Sequence, residues 1–424
     1  MNETGQRFEP SPTILSESSA VHDAALDGLR GLCAFSVLYC HLTVAAPRLD
    51  PGWSPSYLLW WVEVGQGSVL LFFVLSGYVI GLTNRHSFSL DACRQYLARR
   101  AVRIVPINVI GIGLAVVATW AVLPSAKSIV GNLLFLQNAM PPEGWWKFTL
   151  LPTNSNLWSL HYEMVYYLLF LAFWKFRPSL GVVLVIITPL AMAMYWLPIT
   201  IQIVSAYACG LFFWAGGLWI AWRWPLVKDE KSVLQNWPSA VLLAVATWQM
   251  QFLGAVLHRA GRETLWGPWV MGSYLDFLPV ALWIVANVSR RGSAFLPMLR
   301  LLAALWPITN FGWRIARGTM VWSGRELFLF VLTVAAIAVW RWRPGLAFFR
   351  RCAWLGLIAY AVYAIGAPVQ HLVLHAAPRF AGSIMTYSTR LAVCVAIVLA
   401  MAWLLERRMQ PVLRNWFLNS SAKT

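Results

Sequence analysis

The chain has 424 residues, of which 59% are hydrophobic and only 12% charged, and its mean hydropathy is +0.62. Soluble domains carry about a quarter charged residues, so this composition excludes an ordinary soluble protein and points to a chain that lives in a membrane. The net charge of +17 does not indicate nucleic-acid binding, because the basic residues flank apolar segments instead of forming a solvated stripe; helix orientation and attraction to anionic lipid account for it.

Residues 1–25 are polar and mildly acidic (Glu3, Glu9, Glu17, Asp23) and lack the basic start and short apolar core of a signal peptide. They read as a disordered tail. A membrane span needs about 20 mostly apolar residues. Segments of that kind run over 28–46, 58–83, 102–123, 158–174, 180–198, 203–222, 238–257, 268–288, 326–340, 351–374 and 387–405. A twelfth, 294–312, is interrupted by Pro297, Arg300, Pro307 and Asn310; it is either a span or an interfacial amphipathic helix. The 26 Trp and 13 Tyr fit aromatic belts at the two interfaces. The fold expected is therefore all-α: a polytopic bundle of about 10–12 transmembrane spans.

Basic residues set its orientation. Arg85, Arg94, Arg99, Arg100 and Arg103 crowd the connection between the second and third spans, which should be cytoplasmic. That places the N-terminus inside and the 47–57 loop outside. The loops carrying Lys175/Arg177, Arg223/Lys228/Lys231 and Arg341/Arg343/Arg350/Arg351 belong inside, with the Arg407/Arg408 end and a short tail, 409–424. All of them fit only if 294–312 crosses. The longest connection, 124–157, then lies outside. With its Pro141–Trp146 stretch and Asn132, Asn138, Asn154 and Asn156, it reads equally as a functional loop or a punctuated connector. The six cysteines form no CxxC pair and have no companion His spacing, so no metal site is expected.

Ionisable groups inside spans are expensive and mark function or pairing. Arg30 and His41 lie eleven residues apart in the first span. At about 100° per residue they share one helix stripe, roughly 16 Å apart in depth. Arg30 either pairs with Asp27 and snorkels or faces a polar interior. His41 is harder to explain structurally, since imidazole is the usual proton shuttle near neutral pH. Glu163 shares a face with Ser159 and Tyr166. It either orients His41 or serves as an ion-pair partner, for instance of Arg30. Arg100 and Arg103, at i and i+3 with Arg99 beside them, suit phosphate oxygens or simply anchor the helix. Ser76-Gly77 suits close helix packing. Trp158 and Tyr162 would line a site or merely pack, as most aromatic residues do in so Trp-rich a chain.

Four of these features occur together in order: Leu26-Asp-Gly-Leu-Arg30-Gly-Leu32 followed by His41; Phe72-Phe-Val-Leu-Ser-Gly-Tyr78; Arg99-Arg-Ala-Val-Arg103-Ile-Val-Pro106; and Trp158-Ser-Leu-His-Tyr-Glu163 followed by Tyr166-Tyr167. Together they resemble the acyltransferase-3 family of integral membrane acyltransferases. The likeness continues at Tyr360 and Tyr363 and at Glu406 with Pro411. It implies a membrane acyltransferase domain over 26–408, located in a bacterial inner membrane. The reaction implied is transfer of an acyl group, acetyl being the expected one, from cytoplasmic acyl-CoA to a hydroxyl. The acceptor would be a glycan or glycolipid of O-antigen, exopolysaccharide or Nod-factor type, or a small molecule. His41 would be the general base, with Glu163 and Arg30 as catalytic companions. Arg99, Arg100 and Arg103 would hold the coenzyme A phosphates, and Trp158, Ser159 and Tyr162 the substrate. One departure stands out: Gly366 occupies a place that is often His in the family, and His371 and His375 follow one and two turns later. A carrier or flippase of a charged glycolipid is the competing class, since intramembrane Arg, His and Glu also line transport paths.

Overall fold

The computed structural model describes residues 23–44, 49–55, 57–119, 123–137, 148–192, 202–227, 236–259 and 274–420. The expected N-terminal tail, apart from its last three residues, and the Pro141–Trp146 stretch lie outside them. The helices of eight residues or more are α1 (Ala24–Thr43), α2 (Gly65–Thr83), α3 (Leu90–Ala118), α4 (Ala126–Leu133), α5 (Trp158–Phe176), α6 (Leu180–Met192), α7 (Gln202–Arg223) and α8 (Trp237–Met250). They continue as α9 (Phe252–Arg259), α10 (Leu278–Val288), α11 (Leu296–Ala316), α12 (Gly324–Ala338), α13 (Ala359–Ala376), α14 (Ile384–Trp403) and α15 (Gln410–Ser420). Among the described residues there is no strand, only an isolated bridge between Leu226 and Arg291. Four stretches are long and apolar enough to cross a membrane: Gly65–Thr83, Leu90–Ala118, Trp237–Val256 and Ile384–Phe417. Leu180–Ala191 and Tyr274–Val288 are shorter apolar helices.

Hydrogen bonds and ion pairs sort the helix ends into two groups. At one end Asp23 meets Arg290, Arg85 donates to the Ala221 carbonyl, Arg177 reaches the carbonyls of Arg85 and His86, and Trp237 donates to Gly345. At the other, Tyr39 donates to Leu59, Gln249 to Glu63, Arg325 to Gln249, and Arg390 to Leu49 and Ala377. The basic loops gather at the first end. The 294–312 segment is one continuous helix, α11, packed on α8 and α10. The 351–374 segment, by contrast, is broken. Residues 347–351 and 353–356 form two short helices before α13 begins. They lie against α1, where a Cβ on Gly28 would fall 1.8 Å from the Phe349 carbonyl oxygen. The stretch after α14 is not a simple tail: a π-helical turn, Leu404–Met409, leads into α15.

The most extensive helix pair is α2 with α7. A Cβ on Gly77 would sit 1.9 Å from the Trp214 carbonyl oxygen, and one on Gly217 would sit 1.9 Å from that of Val74. The two glycines let backbones touch where lipid offers no hydrophobic drive for association. This is the packing role that Ser76-Gly77 suggested. The loop end opposite the basic residues is held by Asp50. Its buried carboxylate accepts from Gly52 N (2.9 Å), Trp53 N (3.1 Å), Gly382 N (2.9 Å) and the Thr386 hydroxyl (2.6 Å), tying the 49–55 loop to the start of α14.

Two outcomes follow from this packing. Gly77→Leu or Gly217→Leu should overpack the seam by more than the ~1–3 kcal/mol typical of cores, seen as loss of a single monodisperse peak in detergent. Loss of water raises the Asp50 pKa, but the Thr386 hydroxyl and three backbone N–H groups hold it, on balance, below the ordinary carboxylate value. The stability it contributes is thus fully present above about pH 3.9 and is lost as pH falls through the lower folded value. Asp50→Ala should lower thermal stability at neutral pH, by about 1–3 kcal/mol, and flatten the acid limb of the melting-temperature profile.

Candidate active site

Two prolines inside helices shape the centre of the bundle. Pro368 in α13 has no N–H to give the Ala364 carbonyl, a vacancy that neighbouring helices must fill in a membrane protein. Asn154 fills it, its Nδ2 donating to Ala364 O at 2.9 Å. Asn156 Nδ2 donates to Tyr363 O at 3.3 Å, and the Tyr363 hydroxyl donates back to the Asn156 carbonyl. Ser159, one turn later at the start of α5, lies with its Oγ 2.7 Å from the Tyr363 hydroxyl. The second proline, Pro106, loosens the carbonyls of the preceding turn of α3. There Gln410 Nε2 donates to Arg103 O at 2.8 Å and the Tyr360 hydroxyl to Ile104 O at 3.1 Å. The ends of α13 and α15 are so fixed against α3 and α5.

Between these helices is a small apolar chamber of about 90 Å³. Phe72, Phe73, Leu75, Val79, Ile104 and Leu160 supply its greasy walls. Its polar lining is Arg30, Arg100, Arg103, Ser76, Ser159, Glu163 and the hydroxyl-bearing rings Tyr167, Tyr360 and Tyr363. Arg30, Val79, Arg100 and Arg103 also line a second cavity of about 770 Å³ at the basic end, so the two adjoin. This vestibule presents six arginines (Arg30, Arg99, Arg100, Arg103, Arg407 and Arg414) against Asp23, Asp27 and Glu406. Its volume falls in the range of about 300–1,000 Å³ usual for small-ligand sites. Chemically, the pair is an anion-binding antechamber leading to a narrow apolar cell with a carboxylate and a serine.

A family model for an acyltransferase domain, that of the acyltransferase-3 family, matches residues 23–289. The chain belongs to that family. No curated protein and no solved structure matches the chain. The family match makes it a membrane acyltransferase, working between an acyl donor and an acceptor. The match ends before α11, yet Tyr360, Tyr363, Glu406 and Gln410 from the unmatched part close the acyltransferase's central cavities.

The residues singled out in the sequence are only partly gathered. Arg30 does pair with Asp27, at 2.9 Å, and also faces both cavities; the two readings of it coexist. Arg100 and Arg103 line both cavities, Arg100 with its guanidinium 5.3 Å from the Tyr167 ring centre. Arg99 lines the vestibule alone. Glu163 does not meet His41: its carboxylate accepts from the Tyr167 hydroxyl, four residues on in the same helix. None of the ion pairs among the described residues joins it to Arg30 either. His41 lines neither cavity; its backbone carbonyl accepts from Gln370 Nε2 of α13 at 2.8 Å. Of the three substrate-contact candidates only Ser159 faces the chamber. Trp158 and Tyr162 stack edge to face at 6.0 Å, and Tyr162 packs on Tyr207 at 5.0 Å.

Tyr167, Asn156 and Gln410 were not foreseen. Tyr167 sits at i+4 from Glu163, a spacing that marks it, but the partners of Asn156 and Gln410 come from distant helices. Among the described residues no group of three His, Cys, Asp or Glu side chains forms a metal site. Removing the hydroxyl that joins Ser159 to Asn156, by Tyr363→Phe, should leave the helix content unchanged. Turnover should fall by a factor that corresponds to on the order of 1–3 kcal/mol, roughly tenfold to a hundredfold. Circular dichroism and a turnover assay on the same preparation check this.

Proposed function

We propose that this acyltransferase takes an acyl group, acetyl being the expected one, from cytoplasmic acyl-CoA and delivers it to a hydroxyl on a glycan or glycolipid. The acceptor would be of O-antigen, exopolysaccharide or Nod-factor type, or a small molecule. The observation that carries the reading is the six-arginine vestibule opening into the apolar chamber. Coenzyme A brings several phosphates, for which guanidinium forks are well matched, and a thin acyl-thioester arm. Phosphates in the vestibule would direct that arm past Arg103 toward Ser159 and Glu163. The concentration of basic loops at the vestibule end supports a cytoplasmic position for it. With that orientation we read an even total near twelve crossings, both termini inside, and residence in a bacterial inner membrane.

His41 is the proposed general base for the acceptor hydroxyl. A neutral imidazole accepts a proton at its free ring nitrogen and can return it to a leaving group. Arg30 would steady charge at the junction of chamber and vestibule. Glu163 would act at the donor end, since its neighbours are Ser159 and Tyr167.

Two measurements test this on purified protein in lipid, with thiol release from acetyl-CoA as the readout and a panel of glycolipid acceptors. His41→Ala protein that is folded should lose acceptor-dependent turnover by about 10²–10⁴-fold; normal turnover would remove His41 from the mechanism. Arg103→Ala should raise the KM for the donor more than it lowers kcat, by the equivalent of about 1.5–3 kcal/mol for a hydrogen bond to a charged group. An unchanged donor KM would remove the vestibule as the phosphate site.

A further inference from the structure

Ser76 and Gly77 are neighbours in α2 but face different ways. Gly77 makes the backbone contact with α7, so the packing of those two helices leaves Ser76 unexplained. Ser76 lies about 100° round the helix and lines the chamber. Its Oγ is buried and has no hydrogen-bond partner among the described residues. A serine inside a membrane helix ordinarily bonds the carbonyl one turn back, because hydrocarbon offers nothing else. Ser76 makes no such bond. We propose that the Ser76 hydroxyl donates to the thioester carbonyl oxygen of the acyl donor and holds that oxygen as it becomes negative during transfer. This rests on the acyl-CoA reading of the vestibule.

Five hydroxyl groups from described residues line the chamber, and four have their protons committed. Tyr167 gives its proton to Glu163, Tyr360 to the Ile104 carbonyl, and Tyr363 to the Asn156 carbonyl. Tyr363 has no second proton, so in its 2.7 Å contact with Ser159 the serine is the donor. Ser76 lies beside Tyr167 but out of hydrogen-bonding geometry with it, and its proton is free to give. Its depth is also suitable. Val79 lines both cavities and so marks the mouth, while Thr83 and Asn84 beyond it line the vestibule. Ser76 is three residues further in than Val79, roughly 4.5 Å along the helix. Phe72, one more turn in, meets the Tyr363 ring edge to face at 6.1 Å. A thioester arm entering past Arg103 thus brings its carbonyl to Ser76, with space for a short acyl group between Ser76 and that ring pair. A fixed donor in a narrow apolar cell stabilises a developing oxyanion far more than one in water, because it need not reorganise.

The step balances without any change in Ser76 itself. As the acceptor oxygen adds to the carbonyl carbon, a C–O bond forms and the C=O electron pair moves onto the oxygen that Ser76 holds. When that pair returns, the C–S bond breaks and the sulfur leaves with its electrons. It is released as thiol with the proton that the acceptor hydroxyl has given up. Ser76 keeps its own proton throughout, and the net reaction is thioester plus alcohol to ester plus thiol.

The test compares Ser76→Ala with wild type on the full chain in lipid vesicles, by kinetics and by infrared spectroscopy. Loss of the donor should lower kcat by about 10²–10³-fold. The dissociation constant for acetyl-CoA should change by no more than about threefold, since the bond strengthens chiefly in the transition state. The spectroscopic probe is the ketone analogue of acetyl-CoA, with CH₂ in place of sulfur, isotope-labelled at its carbonyl carbon. Its carbonyl stretch should lie at lower frequency in wild type than in Ser76→Ala. Ser76→Cys, a weaker donor of nearly the same size, should fall between the two in both readouts, and serves alone if Ser76→Ala does not fold. Turnover of either variant within about twofold of wild type overturns the proposal. So does a carbonyl frequency that is the same with and without the serine, even where kcat falls, because the loss is then structural. Failure of wild type to bind acetyl-CoA overturns the donor reading, and the role of Ser76 with it.

Discussion

The bonds from Asn154 and Asn156 to the broken turn of α13 set the rest of the centre. A proline in a membrane helix leaves a carbonyl that lipid cannot solvate, and each unsatisfied group there costs several kcal/mol. Two asparagine side chains at the entrance to α5 meet that demand at Ala364 and Tyr363. Because a side-chain amide reaches only one residue's length, the bonds fix α5 against α13 to within a fraction of a helical turn. Ser159 therefore falls opposite Tyr363, and Glu163 one turn further on falls in the chamber wall. The same device recurs at the other proline, where Gln410 and Tyr360 attend the turn of α3 that carries Arg103. Both kinks thus do more than bend a helix. Each turns a backbone vacancy into a contact that positions a side chain facing the cavity.

The charge arrangement shows how a membrane protein keeps many arginines near its core. Six guanidinium groups converge on one vestibule, and only three carboxylates offset them. Arg30 is matched by Asp27 within its own helix, and Arg100 lies over the rings of Tyr96 and Tyr167. The excess positive charge is tolerable because the vestibule is a large hollow at a helix-end surface, not a packed interior. Glu406 sits among these arginines on a π-helical turn, its carboxylate accepting from the Ala361 N–H at 3.2 Å where α13 begins. A π-turn widens the helix locally and is frequent at functional sites. Here it brings a carboxylate and, four residues later, Gln410 to the mouth of the cavity.

Much of this was legible in the sequence. The apolar segments gave the helical class, the basic loops gave one consistent end, and the Arg30, Arg100, Arg103, Ser159 and Glu163 positions all reach the chamber. What was not legible is adjacency between helices. Glu163 seemed destined for His41, because a buried carboxylate needs a donor and an imidazole is a good one. Tyr167, on its own helix, meets that need locally, and Asn156, from a loop that read equally as functional or as a connector, instead bonds the Tyr363 carbonyl of α13. Trp158 and Tyr162 share the motif with Ser159, yet 100° per residue turns them away into a cluster with Tyr207. The break at 351–358 was hidden for a related reason. Hydropathy is continuous there, and only the contact of Gly28 with the Phe349 carbonyl shows why the chain must turn.

The division between the two cavities and His41 has a physical basis in the membrane itself. A pathway open from end to end would leak ions and water through a bilayer whose value to the cell is its resistance. Ser159, Tyr363 and Asn156 are joined to one another by hydrogen bonds, although the buried Asn156 side-chain oxygen has no partner among them. This seam borders the apolar cell into which the arginine-rich antechamber leads.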